Sequence, residues 1–118
     1  MDGFIHSYSR QQAIDDGVLI DVSQLEREAG FLVPVAITIN LYSEFIKTTL
    51  PGQDETGRLW DTLVMLAVNA KHSTDNVIIY NVLYQMAENH EVNTTLKAII
   101  DLGLEGKPEI TIMLLDES

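Results

Sequence analysis

The amino-acid sequence predicts an α+β fold: three or four antiparallel strands packed on one face by two main helices, at about 40–48 and 56–71. Three observations carry that expectation. Apolar residues recur at three- and four-residue steps between Thr38 and Lys71, the spacing of a helix face. The last third holds runs of β-branched and aromatic residues with turn-forming residues between them. Glycine and proline are scattered singly, which marks turns and gives no sign of a linker or repeat, so one domain is expected over 1–118.

The elements follow in order. Ser9 is placed to cap a short helix, Arg10 to Asp16, which Gly17 stops. Val18-Leu19-Ile20-Asp21-Val22 is long enough for a short strand, at an edge of the sheet if it joins it. Ser23 caps a second turn, Gln24 to Ala29, with Glu26 in the capping-box position and Gly30 after it. Pro34 opens the apolar run Val35-Ala36-Ile37, a position allowed at a strand's first residue or in an edge strand. Ile39, Tyr42, Phe45 and Ile46 then define the first main helix, with Thr38 as its cap and Leu50-Pro51-Gly52 as its end. Leu59, Leu63, Leu66 and Ala70 define the second. Asp54 and Glu55 suit its positive N-terminus, and Lys71 and His72 its C-terminus. The final third reads as a meander: a strand over 77–84, a polar loop holding Asn89 to Asn93, a strand over 96–102, turn residues Glu105 to Pro108, and a strand over 110–114.

Composition bounds the chemistry. The 118 residues carry 18 Asp and Glu against 7 Lys and Arg, a net charge of −11, and no cysteine. Disulfides, thiolate metal sites and cysteine nucleophiles are therefore excluded. The acidity argues against direct nucleic-acid binding and against an anionic membrane as partner, since both demand basic patches. No run reaches the ~20 apolar residues that span a bilayer, and Met1-Asp2-Gly3-Phe4 lacks the basic-then-apolar order of a secretion signal. A cytoplasmic setting is expected.

The densest polar cluster is Gln53, Asp54, Glu55, Arg58 and Asp61, with Asp21 as a further carboxylate from the first strand. Carboxylates there could serve as acid/base groups or hard-cation ligands, and Arg58 could hold an anion. The same residues also suit an ordinary helix start, with Arg58 paired to Glu55 three positions back. The spacing of a calcium loop is missing. His6, His72 and His90 are far apart, no serine lies in G-x-S-x-G, and no phosphate-binding glycine loop occurs. No catalytic, metal or cofactor-binding residue is therefore assigned, and no cofactor is expected. Tyr80 and Tyr84 share one face of the 77–84 strand with Val82 and form an interaction face if nothing covers them.

Three blocks give the chain a resemblance. They are Ala13-Ile14-Asp15-Asp16-Gly17-Val18-Leu19-Ile20-Asp21-Val22-Ser23, Gly52-Gln53-Asp54-Glu55-Thr56-Gly57-Arg58-Leu59-Trp60-Asp61, and Pro108-Glu109-Ile110-Thr111-Ile112-Met113-Leu114. With them the sequence resembles a family of small proteins of unknown function encoded by phages, plasmids and other mobile elements. The resemblance implies a bacterial host cell and carries no catalytic residues.

The leading expectation is an interaction protein, one form of which presents an acidic surface to a basic partner. The alternative is a ligand-binding or enzymatic module built on the Gln53–Asp61 cluster, which requires those carboxylates to converge. The third is a homo-oligomeric component that pairs an exposed sheet face or edge with a copy of itself.

Overall fold

A computed structural model describes residues 9–22, 27, 29–47, 55–71, 73–87, 89–103 and 106–117. Helix α1 (Arg10–Asp15) leads into β1 (Leu19–Asp21) and β2 (Val35–Thr38). One turn of α2 (Ile39–Leu41) then runs directly into a π-helical turn, Tyr42–Ile46. Helix α3 (Glu55–Ala70), β3 (Val77–Ala87), β4 (His90–Leu102) and β5 (Pro108–Leu114) complete the order. The turn expected over Gln24–Ala29 falls largely outside the described residues.

The local signals hold. Ser9 accepts from the Gln12 amide while the Gln12 side chain accepts from the Ser9 amide, a full capping box, and Gly17 leaves the helix at φ +78°. The Thr38 hydroxyl accepts from the Leu41 amide and so starts α2.

The sheet departs from expectation. It has five strands in the order β1-β2-β5-β4-β3 and is mixed, because β2 and β5 run parallel with Val35 opposite Ile110 and Ile37 opposite Ile112. The remaining neighbours are antiparallel. Burial explains the central position of this pair. Val35, Ala36, Ile37 and Ile112 are all fully buried, and Ile110 and Met113 nearly so. Strands buried on both faces are apolar without alternation, as parallel neighbours usually are. The short β1 takes one edge, as expected of the first strand.

The helices also differ from two on one face. The helix expected over 40–48 is a single α turn continued by the π turn, where the Lys47 amide donates to the Tyr42 carbonyl at 2.7 Å. α3 packs on the face bearing Ile78, Tyr80, Val82 and Tyr84, together with Leu41 and Ile46. α1 lies on the other face, where the Arg10 guanidinium donates to the Thr111 hydroxyl at 2.9 Å and the buried Ala36 shares Thr111's side. Among the described residues α1 makes its main sheet contacts with β1.

The polar stretch expected as a loop is instead strand. β3 and β4 pair from Val77 opposite Ile99 to Gln85 opposite Glu91, with a bulge before Ala87 and a tight turn at Asn89, φ +59°. Thr94 and Leu96 point inward and carry the alternation through the polar residues. At the C-terminal turn the Glu117 carboxylate accepts from the Thr38 hydroxyl, the Asn40 amide and the Leu114 backbone, while Lys97 donates to its carbonyl. Among the described residues no helix is long and apolar enough to cross a membrane.

Candidate functional site

The described members of the polar cluster singled out in the sequence, Asp21, Glu55, Arg58 and Asp61, do not converge. Gln53 and Asp54 lie outside the described residues. Glu55 opens α3 and accepts from the Tyr42 hydroxyl at 2.8 Å, and this bond, with burial and the carboxylate charge, raises the Tyr42 pKa. Arg58 points inward and is 6% exposed. Its guanidinium donates to the Gln85 carbonyl at 2.9 Å and the Phe45 carbonyl at 3.3 Å, so it ties α3 to β3 and the π turn. Asp61 is exposed on α3. Asp21 sits on β1, four strands from the β3 strand that α3 covers, about 19 Å across a sheet with ~4.8 Å spacing. Among the described residues no three His, Asp or Glu side chains gather as metal ligands.

Tyr80 and Tyr84 are core residues, which corrects the expectation of an interaction face. α3 covers their side of β3, leaving Tyr80 3% and Tyr84 0% exposed. The Thr62 hydroxyl donates to the Arg58 carbonyl at 2.9 Å. That uses its single hydrogen, so the Tyr84 hydroxyl donates to Thr62 Oγ1. Tyr80 donates to the Thr62 carbonyl at 3.0 Å, and the Tyr84 ring stacks on Phe45 with centroids 5.5 Å apart. Burial raises the pKa of both tyrosines well above the ordinary value.

Two concave regions flank the sheet. A cleft of about 580 Å³ lies between α1 and the start of β5, with Asp21, Lys107 and Glu109 on its walls. Its central cation is already engaged: Arg10 donates to Thr111 and to the Ile110 carbonyl and pairs with Glu109 at 3.3 Å. A shallower one of about 430 Å³ is lined by Glu44, Asp116 and Glu117. The Glu117 carboxylate there serves the C-terminal turn.

The residues that sequence reasoning missed stand on the opposite side of β3 from the tyrosines. Val77, Ile79 and Leu83 are exposed there, Ile79 by 58% and Leu83 by 55%. β3 is an edge strand of 11 residues without a proline or an ionisable side chain other than its tyrosines. Natural edges are ordinarily blunted by shortness, charge or proline. The other edge, β1, has those defences: three residues, one of them Asp21. Met65 and Val68 extend the apolar surface from α3. Arg58 and Thr62 on that helix reach β3, while Leu63 and Leu66 point to the core, so the exposed stripe of Asp61, Met65 and Val68 falls on the outer side, above the edge. Five of the nine large apolar side chains exposed among the described residues thus surround one sheet edge. The available signal was the uncharged run from Val77 to Ala87.

The fold and its surfaces define a small mixed-sheet protein with one blunted and one open edge. The sequence model of the Family of unknown function (DUF6573) matches residues 2–118, and the chain belongs to that family. No curated protein and no solved structure matches it.

Proposed function

We propose that the protein acts by association with other protein chains, through the β3 edge and the α3 flank above it. The observation that carries this reading is the concentration of exposed Met65, Val68, Val77, Ile79 and Leu83 around a long strand with no charge or proline to protect it. Extended chains add to such edges through main-chain hydrogen bonds, with side-chain contacts supplying selectivity. The resemblance to phage and plasmid proteins supports a setting in the cytoplasm of a bacterial host carrying a mobile element.

A photo-reactive residue at position 79 tests the reading against the same residue at position 11, on exposed α1. Illumination in a bacterial lysate is expected to give protein adducts from position 79 and few from position 11. Equal labelling, or none, refutes it.

The net charge of −11 favours a second reading, attraction to a basic partner. The described carboxylates stand on α1, β1, the π turn, α3, β4 and β5, which supports a long-range field as the form of that attraction. Binding of that kind weakens as salt rises.

A further inference from the structure

We infer that the occupant of the β3 edge is the β3 edge of a second copy, paired antiparallel about a two-fold axis at Asn81. This rests on the association reading above and names its partner. The backbone fixes which groups are available. The Ile100 amide donates to the Asn76 carbonyl at 2.8 Å, and these residues stand opposite each other in the ladder. Hydrogen-bonding direction alternates along an antiparallel strand. The even-numbered residues of β3 therefore bond to β4, and Val77, Ile79, Asn81, Leu83 and Gln85 turn their N–H and C=O groups outward.

A two-fold axis requires that if one residue meets another, the reverse contact also occurs. Asn81 is the middle of those five residues. Centring there pairs all of them: Asn81 with itself, Ile79 with Leu83, and Val77 with Gln85. A shift of the axis by one residue, to Tyr80, leaves Gln85 without a partner in the set and sets Ile79 against Asn81. The Gln85 carbonyl already accepts from Arg58, and its second lone pair remains for the pairing. On the open face the Asn81-centred register places the two most exposed apolar side chains of β3 against each other twice.

Size and charge agree with a second copy. The paired stretch of nine residues is about 30 Å long, and sheet and helix layers together are about 20 Å deep, so roughly 600 Å² per protomer is covered. Doubled, that exceeds the ~1,000 Å² a specific interface needs. β3 brings no like charges face to face. The two chains nevertheless repel at long range, each carrying −11, so salt should strengthen the pairing, the opposite of its effect on a basic partner.

The test uses the full chain. Light scattering across micromolar concentrations is expected to give twice the 13.2 kDa chain mass, with the dimer favoured at 300 mM over 50 mM NaCl. Ile79→Lys should return a folded monomer, while Val18→Lys, at an exposed apolar site next to β1 on the opposite edge of the sheet, should remain dimeric. The native chain has no cysteine, so Asn81→Cys introduces one thiol beside its symmetry mate. Hydrogen-bonded antiparallel pairs hold their Cα atoms ~5.5 Å apart, within disulfide reach. Oxidation should therefore link Asn81→Cys chains and leave Val77→Cys chains, whose register partner is Gln85, unlinked. A wild-type monomer at every concentration and salt overturns the inference. If position 79 then labels a different protein, the association reading survives; if it labels none, both fall. Cross-linking of Val77→Cys in place of Asn81→Cys overturns the register.

Discussion

Removing either hydroxyl from the Thr62–Tyr84 pair should have unequal costs. Tyr84 is fully buried and its hydroxyl donates to Thr62 Oγ1, while Thr62 keeps its own donation to the Arg58 carbonyl. Tyr84→Phe removes the donor and leaves Thr62 with its other bond intact, so the loss is that of one ordinary hydrogen bond, about 0.5–1.5 kcal/mol. Thr62→Val keeps the side-chain shape but leaves the Tyr84 hydroxyl buried without its acceptor, which adds a desolvation penalty and brings the cost to roughly 2–3 kcal/mol. The double variant removes both polar groups, so the orphan disappears. Its cost should fall below the sum of the singles by about 1–2 kcal/mol, the coupling of the pair. Urea unfolding of the four proteins measures this, at one protein concentration because self-association couples to stability. Additive costs within about 0.5 kcal/mol would refute the reasoning, since independent sites behave that way. So would a larger loss for Tyr84→Phe than for Thr62→Val.

Three further outcomes follow from the same core. Tyr80 and Tyr84 have folded-state pKa values raised by burial, so their contribution is intact below pH 10, the ordinary value, and is lost as pH rises above it. Stability should fall by roughly 3 kcal/mol per pH unit for the pair, and tyrosinate absorbance should appear with unfolding; ionisation of both in the folded protein near pH 10 would contradict this. The Thr94 hydroxyl is buried with no hydrogen-bond partner among the described residues, so Thr94→Val should stabilise by about 1–2 kcal/mol in urea, and a destabilised variant would show that the hydroxyl is satisfied. Asn89 turns the β3–β4 hairpin at φ +59°, so Asn89→Ala should cost about 1 kcal/mol and Asn89→Gly little or nothing by thermal unfolding; equal costs would remove the backbone explanation.

What the sequence revealed was local. The Ser9 cap, the glycine stop, the Thr38 cap and the long apolar stripe of α3 each depend on residues within a few positions, and each stands where it was expected. The parallel neighbour of β2 was not legible, because Val35 meets Ile110 across most of the chain and no turn signal links them. The full burial of Val35, Ala36 and Ile37 was the trace of it, an apolar run too continuous for a half-wet strand. The polar cluster misled for a related reason. Gln53 to Asp61 looks dense in sequence, but among its described members the helix from Glu55 sends Arg58 inward and Asp61 outward. In β3 the alternation correctly put Tyr80 and Tyr84 on one face. Ile79 and Leu83 made the other face equally apolar, so composition gave no means of choosing which side α3 covers.

The asymmetry of the two edges bears on how far association can go. A sheet with two open edges would add copies at both ends and grow without closing. Here β1 is three residues long, carries Asp21, and lies beside α1, so it offers little ladder to a newcomer. β3 offers five outward-facing residues in a self-complementary order, and one two-fold contact uses all of them. Such a contact closes at two chains. Beyond it, each assembled pair presents two blunted edges and a net charge twice that of one chain, which opposes further approach at low salt. If the edge pairs as inferred, long-range repulsion between like-charged chains and the short-range ladder act in opposite directions, and the ladder sets the register. Concentrated protein should therefore stop at the dimer, and growth into longer assemblies would show that the β1 edge is open as well.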